Sequence, residues 1–401
     1  MKVLIISHLY PSKNKPSYGV FVHEQVKELK KQGCDVTVVA PVKYVPFPLN
    51  YRTKWQEIAG IPKVETYEGI TVFHPRFPSL PKNILFDQIG QFLYLSIINL
   101  VTQLNNEKKF DLIHAHVALP NGYASYKISE KLECPFIVTI HGQDLQKTIY
   151  YNEKCRKNVE LTISKASKII LVSTKLQRLL MDARFRGNLN YEIIPNGVDY
   201  SKINPTKPNV KYFQNEGPKL LSVSNLYPEK SIDTNLYAIS KLIKNYPNLE
   251  YNIVGDGPEK QRLKELAGKL GIKDNVRFLG AFIHEDVLSI MNQCDVFSMP
   301  SINEAFGVVY IEAMSLGKPV IGCHGEGPED IVDDKRNGFL IKKNDVEQLT
   351  SALDLLFKDK ELREKIGVLA KETVKNRFTW ENVSKDIIKE YNYVLDKSAD
   401  K

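Results

Sequence analysis

The 401-residue chain lacks most of the signatures that would define its chemistry at a glance. Its five cysteines, Cys34, Cys134, Cys155, Cys294 and Cys323, are scattered singly with no Cys-x-x-Cys pair. That spacing argues against a zinc ribbon, a dithiol redox centre and a disulfide scaffold, and a reducing cytoplasmic setting is expected. Neither a Gly-x-Gly-x-x-Gly fingerprint nor a Gly-x4-Gly-Lys-Ser/Thr loop occurs, so dinucleotide oxidoreductase and P-loop NTPase readings lose support. Asp-x-Asp is absent as well, and with it the usual oxygen ligands of a metal-bridged diphosphate, so no metal is expected.

Long apolar runs are missing too. After Lys2 only Val3 to Ile6 are apolar before Ser7 and His8, too short for a signal peptide and right for a buried strand. The segment Ile84 to Val101 is interrupted by Asp87, Gln88, Gln91 and Asn99, which argues for an amphipathic helix rather than a membrane span. Low-complexity tracts do not occur, and the 43% hydrophobic content is enough for a sizeable core.

What is present is a repeated alternation. Short apolar runs rich in β-branched residues alternate with helical patterns: Val3 to Ser7, Asp35 to Ala40, Leu112 to Ala115, Phe136 to Ile140, Ile169 to Ser173 and Glu192 to Pro195. The pattern restarts with Lys219 to Ser224, Leu249 to Val254, Val276 to Leu279, Val296 to Met299 and Pro319 to Gly322. Parallel sheets flanked by helices follow, and the restart implies two successive doubly wound α/β domains. The Pro- and Gly-rich stretch from Pro195 to Pro218, with Pro205 and Pro208, is the expected linker. Expected boundaries are 1–200, 201–378 and a terminal helix over 379–401. The stretch from Pro41 to Pro81, rich in Pro, Tyr and Phe, is expected to be an irregular loop, either functional or mobile or, with equal weight, a lineage-specific surface insertion.

Charge is uneven. Residues 1–200 carry 26 Lys and Arg against 17 Asp and Glu, whereas residues 201–401 carry 29 against 30. The first half is therefore the basic half, suited to an anionic membrane surface, a phosphorylated lipid or nucleic acid, or simply to solubility.

In doubly wound folds ligands bind beyond the carboxyl ends of the strands. After the strand ending at Met299 come Glu304, Phe306, Gly307 and Val308, and then a helix expected over Val308 to Leu316 that carries Glu312. Gly307 near the first turn would admit a diphosphate to amides that have no intrahelical partner. The run Glu304-Ala-Phe-Gly-Val-Val-Tyr-Ile-Glu312 resembles the E-x7-E signature of retaining GT-B glycosyltransferases of family 4. Val254-Gly255-Asp256-Gly257-Pro258, Gly327-Pro328-Glu329, Asn337-Gly338-Phe339-Leu340 and Ile194-Pro195-Asn196-Gly197 are similar to the same family, so the resemblance spans nearly the whole chain.

The resemblance implies two Rossmann-like domains facing across a cleft, with the terminal helix from Thr379-Trp380 crossing back to the first. It implies a nucleotide-sugar donor on the second domain and no cofactor. Glu304 would contact the donor sugar, Glu312 the ribose, the backbone of Phe306, Gly307 and Val308 the diphosphate, and Gly255, Gly257, Phe282 and Ile283 the base. Lys230 stands at the position of the family lysine that meets the leaving diphosphate. Asn225 occupies the place of the family arginine and cannot offset charge as a guanidinium does.

In the first half Gly19 matches the family's glycine-rich loop, and His141, at a strand end in Thr139-Ile140-His141-Gly142, matches its active-site histidine. His23 is expected to be a helix residue. His114 and His116 are expected on one strand, one towards the cleft and one towards the core. The opening Ser7-His8-Leu9-Tyr10-Pro11 is similar to bacterial members that build capsule or teichuronic acid. With the aromatic-basic segment at Phe47, Tyr51, Arg52, Lys54 and Trp55, it implies a saccharide or lipid-linked acceptor at an anionic membrane and not nucleic acid. A nucleotide-sugar 2-epimerase and a non-catalytic partner subunit are the alternatives.

Overall fold

The computed structural model describes residues 1–48, 50, 52–80, 83–187, 189–203 and 210–399. Tyr51 and Pro81 of the expected irregular loop, the side chain of Lys54, and Pro205 and Pro208 of the expected linker lie outside the described residues. The chain divides into two units, Met1–Asn196 with Trp380–Lys401, and Gly197–Thr379.

The strands of the first unit are β1 (Lys2–Ile6), β2 (Asp35–Val39), β3 (Val42–Lys43), β4 (Val64–Tyr67), β5 (Ile70–Phe73), β6 (Arg76–Phe77), β7 (Leu112–His116), β8 (Phe136–Ile140), β9 (Lys168–Leu171) and β10 (Tyr191–Ile193). Among the described residues its main sheet runs β10-β9-β8-β7-β1-β2-β5-β4, parallel except where β4 meets β5. β7, β8 and β9 are buried on both faces, as continuous apolar strands between two helix layers must be. The strand order reverses between β1 and β7, which opens a crevice beyond their carboxyl ends.

The second unit holds β11 (Lys219–Val223), β12 (Glu250–Val254), β13 (Val276–Gly280), β14 (Val296–Ser298), β15 (Val320–Cys323) and β16 (Phe339–Ile341). They pair in parallel in the order β13-β12-β11-β14-β15-β16, and the reversal falls between β11 and β14. Leu220, Tyr251, Ile253, Leu236, Ile239, Leu353 and Leu356 lie in a core between this sheet and its helices.

The last helix, Trp380–Ala399, is part of the first unit. Trp380, Val383, Ile387, Tyr391 and Val394 recur at three- and four-residue steps and form one apolar stripe, buried with Val22, Val26 and Leu29 of the helix Val20–Lys31. Lys168 of β9 is only slightly exposed and pairs with Glu390 at 2.8 Å, tying the stripe's polar edge to the sheet.

Two expectations are corrected here. The stretch 41–81 is not irregular: it supplies β3, β4, β5, β6 and the helix Thr53–Ala59. β4 and β5 form a hairpin whose two turn residues, Glu68 and Gly69, both have positive φ (43° and 77°), the backbone of a type I′ turn. His114 and His116 do not face opposite ways. Side chains two apart on a strand share a face, and the two buried rings lie over one another with centroids 4.6 Å apart. The helix expected within 84–101 forms over Ile89–Lys108 and buries Leu93, Ile97, Val101 and Leu104. Among the described residues no helix is long and apolar enough to cross a membrane.

Candidate active site

In the second unit the chemistry gathers where β11 and β14 diverge. After β14 the chain runs through Pro300 to Gly307 and enters the helix Val308–Ser315. Gly307 caps that helix with φ 96°, a left-handed conformation that side chains strain to adopt, and a Cβ there would lie 2.5 Å from the Tyr310 ring. The helix start thus comes out of a tight turn, leaving the amides at Val308 and Val309 without intrahelical acceptors. Buried Tyr310 donates its hydroxyl to the Met299 carbonyl and packs edge-on against Phe297, which pins the helix to the end of β14.

Beyond β11, Ser224 to Tyr227 lead into a single turn, Pro228–Lys230, and then into the helix Ile232–Leu242. This loop is knitted to the one after β14: the Glu229 carbonyl accepts from the Ile302 amide and from the Ser301 hydroxyl, each at 2.9 Å. That stitching brings the Lys230 Nζ to 2.7 Å from Glu304 Oε2. Both side chains are largely covered, at 21% and 14% exposure, so the contact is a charge-assisted bond in a partly dry setting.

Glu304 is held from a second side. Its amide donates to Glu326 Oε2 at 2.7 Å and its carbonyl accepts from the Gly327 amide at 3.0 Å. Glu326 is buried and its other oxygen meets Lys343 at 2.5 Å. Glu312 on the Val308–Ser315 helix accepts from His284 Nε2–H at 2.8 Å. Ile283, just before His284, is exposed, and Phe282 lies edge-on to Tyr212. Asn225 is exposed on the β11 loop. Gly255 and Gly257 sit directly under that loop, where a Cβ would lie 1.9 Å from the Ser224 carbonyl oxygen and 2.5 Å from that of Leu226.

The first unit carries its own cluster at the β1/β7 reversal. Gly19 caps the helix Val20–Lys31 so closely against the loop after β1 that a Cβ would fall 2.3 Å from the Leu9 carbonyl carbon. His141 directly follows β8, with its ring 4.7 Å from that of Phe21. Its Nε2 lies 2.9 Å from His116 Nδ1 at the end of β7. His23 is, as expected, a buried helix residue, bonded to the Tyr10 hydroxyl at 2.9 Å. Next to His116, Val117 is β-branched with φ 67°, a strained conformation costing about 1–3 kcal/mol. The strain is held by Asp144, whose Oδ1 accepts from the Ala118 and Leu119 amides at 3.0 and 3.3 Å.

Burial governs the ionisation here. It pushes His8 down to about 4, and His114 and His141 down to about 3, because a charged imidazole would lose its hydration. It pushes Asp144 up to about 7 for the same reason. The histidines take protons near 6.5 when unfolded but only near 3 to 4 when folded, so the unfolded chain holds more protons in between. The stability they contribute above pH 6.5 is therefore lost as pH falls towards 4. Asp144 has the opposite sign, since the stability tied to its neutral form is present below about 4 and lost as pH rises through about 7. Asp144→Asn keeps the Oδ1 acceptor, and thermal melts are expected to show it raising Tm at pH 8 but not at pH 4. An equal effect at both pH values would show that Asp144 is ionised without penalty.

These placements bring Lys230, Glu304, Phe306, Gly307 and Val308 together in the second unit, with Glu312 one helical turn beyond Val308, and Gly19 and His141 together in the first. Residues 204–373 match the model for glycosyl transferases group 1, and residues 19–202 match the model for glycosyltransferase family 4. An uncharacterized glycosyltransferase of Methanocaldococcus jannaschii is 30% identical over 291 residues, 71% of this chain and 76% of that protein. The chain belongs to glycosyltransferase family 4. A Bacillus subtilis glycosyltransferase assigned to teichuronic acid biosynthesis is 28% identical over 406 residues, covering both chains fully. The Anabaena protein HepE, solved with UDP-glucose, superposes with a TM-score of 0.71 at 21% identity over 98% of this chain and 100% of that one. The family 4 enzyme therefore has the GT-B fold, built from two Rossmann-like units.

Several residues that shape this candidate site were not singled out from sequence. Glu326 lies 22 positions from Glu304 and only the β15 turn brings them together. His284 meets Glu312 from another helix, and Asp144 acts through backbone amides. Their one visible signal was position just after a strand or at a helix start.

Proposed function

We propose that this enzyme transfers a sugar from a nucleotide-sugar donor to a saccharide or lipid-linked saccharide acceptor in cell-surface polysaccharide synthesis, with retention of anomeric configuration and without a metal ion. UDP-sugars are the first donor class and GDP-sugars the second. The observation that carries the reading is the Lys230–Glu304 pair, 2.7 Å apart beside the start of the Gly307-capped helix. That helix offers unpaired amides and a favourable dipole to a diphosphate, and Lys230 offers the charge. Glu304 offers a carboxylate that accepts from sugar hydroxyls, and Glu312 one that accepts from ribose hydroxyls. The UDP-glucose complex of HepE and the teichuronic acid assignment of the Bacillus subtilis relative support the donor and the acceptor class.

In the reaction the bond from the anomeric carbon to the diphosphate breaks as the acceptor oxygen bonds to that carbon from the same face. The acceptor proton passes to an oxygen of the departing diphosphate. The task of the protein is to stabilise negative charge growing on that diphosphate, for which Lys230 and the helix-start amides are positioned. In the first unit, His141 and Gly19 are the residues that the family resemblance assigns to substrate contact. The basic excess of that unit, with exposed Tyr44 and Phe47, supports an acceptor presented at an anionic membrane surface.

The test is transfer by the purified full-length chain, with EDTA present, from UDP-glucose, UDP-N-acetylglucosamine or GDP-mannose to a saccharide acceptor free or in anionic vesicles. Anomeric proton couplings of the product report its configuration. One donor is expected to raise Tm selectively, as a ligand of the native state must, and to give a product of unchanged anomeric configuration. An inverted product would overturn the retaining reading, and activity restored only by a divalent ion the metal-free one. Epimerised free donor would favour the 2-epimerase, and neither binding nor transfer the non-catalytic subunit that Asn225 suggests.

A further inference from the structure

The Glu312 carboxylate, read above as the acceptor of ribose hydroxyls, does not choose its own direction. It stands on the helix Val308–Ser315 and is largely covered. Three rotatable bonds separate such a carboxylate from its backbone, and a helix surface by itself does not fix them. Here His284 Nε2–H reaches Glu312 Oε1 at 2.8 Å. His284 is the first residue of the helix His284–Gln293, which packs against the Glu312 helix. Val287, Leu288, Ile290 and Met291 are buried and fix that helix to the rest of the unit. The Ile283 carbonyl accepts from the Asp286 and Val287 amides, each at 3.1 Å, so the backbone that carries His284 is closed into a turn. The N–H that meets Glu312 thus comes from a fixed point, on an imidazole that is itself exposed.

We propose that His284 is a positioning residue that sets the ribose specificity of the nucleotide site: by bonding Oε1 it holds the Glu312 carboxylate in one direction, ready for the vicinal hydroxyls of a ribose. This rests on the reading of Glu312 as the ribose acceptor. Each carboxylate oxygen carries two lone pairs, so one imidazole N–H on Oε1 leaves Oε2 whole and a second lone pair on Oε1. The bond is charge-assisted and stronger than one between two neutral groups. The ordering cost of the Glu312 side chain is met in the unliganded protein, and the nucleotide does not incur it on binding. Without the imidazole the carboxylate turns among several rotamers, and the ribose loses a preorganised acceptor. A nucleotide that lacks both hydroxyls makes no bond to that acceptor and gains little from His284.

The experiment titrates the full chain calorimetrically with UDP, GDP and their 2′,3′-dideoxy counterparts, and the tighter-binding base supplies the comparison. His284→Leu is expected to weaken the ribonucleotide about threefold to tenfold and the dideoxynucleotide by less than about twofold, so that the preference for ribose shrinks. His284→Gln, whose amide still donates at similar reach, is expected to stay within about twofold of the wild type on both. In the transfer assay His284→Leu is expected to raise donor KM and to keep kcat within about twofold, since the ribose is held alike before and during the reaction. Glu312→Ala is expected to lose the ribose preference, and adding His284→Leu to it to cost nothing more. Tighter ribonucleotide binding by His284→Leu would show that the imidazole blocks the carboxylate and would overturn the proposal. So would equal losses on the ribo- and dideoxynucleotide, equal losses in the Leu and Gln variants, or additive losses from the two substitutions. Undiminished ribonucleotide affinity in Glu312→Ala would instead sink the ribose reading of Glu312, and the proposal with it.

Discussion

Lys230→Ala is expected to lower kcat for sugar transfer by about a hundredfold to a thousandfold, the loss found when one preorganised stabiliser of a developing anion is removed. The size follows from its surroundings. Asn225, on the same loop, supplies no charge, so the cation bonded to Glu304 beside the Gly307-capped helix is Lys230, at 2.7 Å. The same bond predicts a distinctive stability pattern. Removing Lys230 leaves the mostly covered Glu304 carboxylate without its cation, whereas removing both partners leaves no charge to desolvate. With a coupling of about 0.5–3 kcal/mol, and about 2–4 °C of Tm per kcal/mol in a domain this size, the single variant is expected to melt a few degrees low. Lys230→Ala/Glu304→Ala is expected to recover most of that Tm and none of the activity. Near-normal turnover by both single variants in the purified assay would remove the site from contention, and additive melting shifts would show that the bond contributes nothing in solution.

That pairing was legible in sequence only as two residues lying after neighbouring strands. The apolar runs at Leu112, Phe136, Lys219 and Leu249 announced buried parallel strands because both faces of such strands are apolar, and Glu304, Gly307 and Glu312 carried the family resemblance. Other parts were illegible for physical reasons. β16 has three residues, Phe339 to Ile341, too few for a periodic pattern, and pairs in parallel with β15 across a connection that also carries Glu326. The hairpin of β4 and β5 was masked by the prolines around it, although its alternation and the Glu68-Gly69 turn were local signals. The histidine chain was misread through its period: residues 114 and 116 share a face, and that sharing is what lets one ring buttress the other. His116 and His141 are 25 residues apart and become partners only because β7 and β8 run parallel in register, with His116 opposite Thr139.

Gly255→Ala is expected to cause the largest loss of stability among the single glycine substitutions, and to damage the donor site through the same contact. Gly255 follows β12 with φ 124°, outside the range of ordinary side chains, and its amide bonds to the Gly280 carbonyl at 2.8 Å. A Cβ there would lie 1.9 Å from the Ser224 carbonyl oxygen, a backbone atom that no rotamer change can move aside. Ser224 is in turn bonded through its amide to Val254 at 3.0 Å, and Leu226 through its amide to Asp256 at 2.9 Å. The loop that carries Asn225 and Lys230 therefore has to lift off β12 as a body. A cost of about 3 kcal/mol or more is expected from strain and clash together, or roughly 6–12 °C in Tm. Gly268, within the helix Lys260–Lys269, is the control: nothing lies within 4 Å of its Cβ position, and Gly268→Ala is expected to stabilise by about 0.5–1 kcal/mol. Melting curves of the two variants thus move in opposite directions. Because Lys230 rides on the displaced loop, Gly255→Ala is also expected to weaken nucleotide-sugar binding below its own melting temperature, where Gly268→Ala leaves it unchanged. Titration of both variants with the preferred donor separates the two cases, and unaltered affinity in a folded Gly255→Ala protein would show that the loop and the donor site are not mechanically joined.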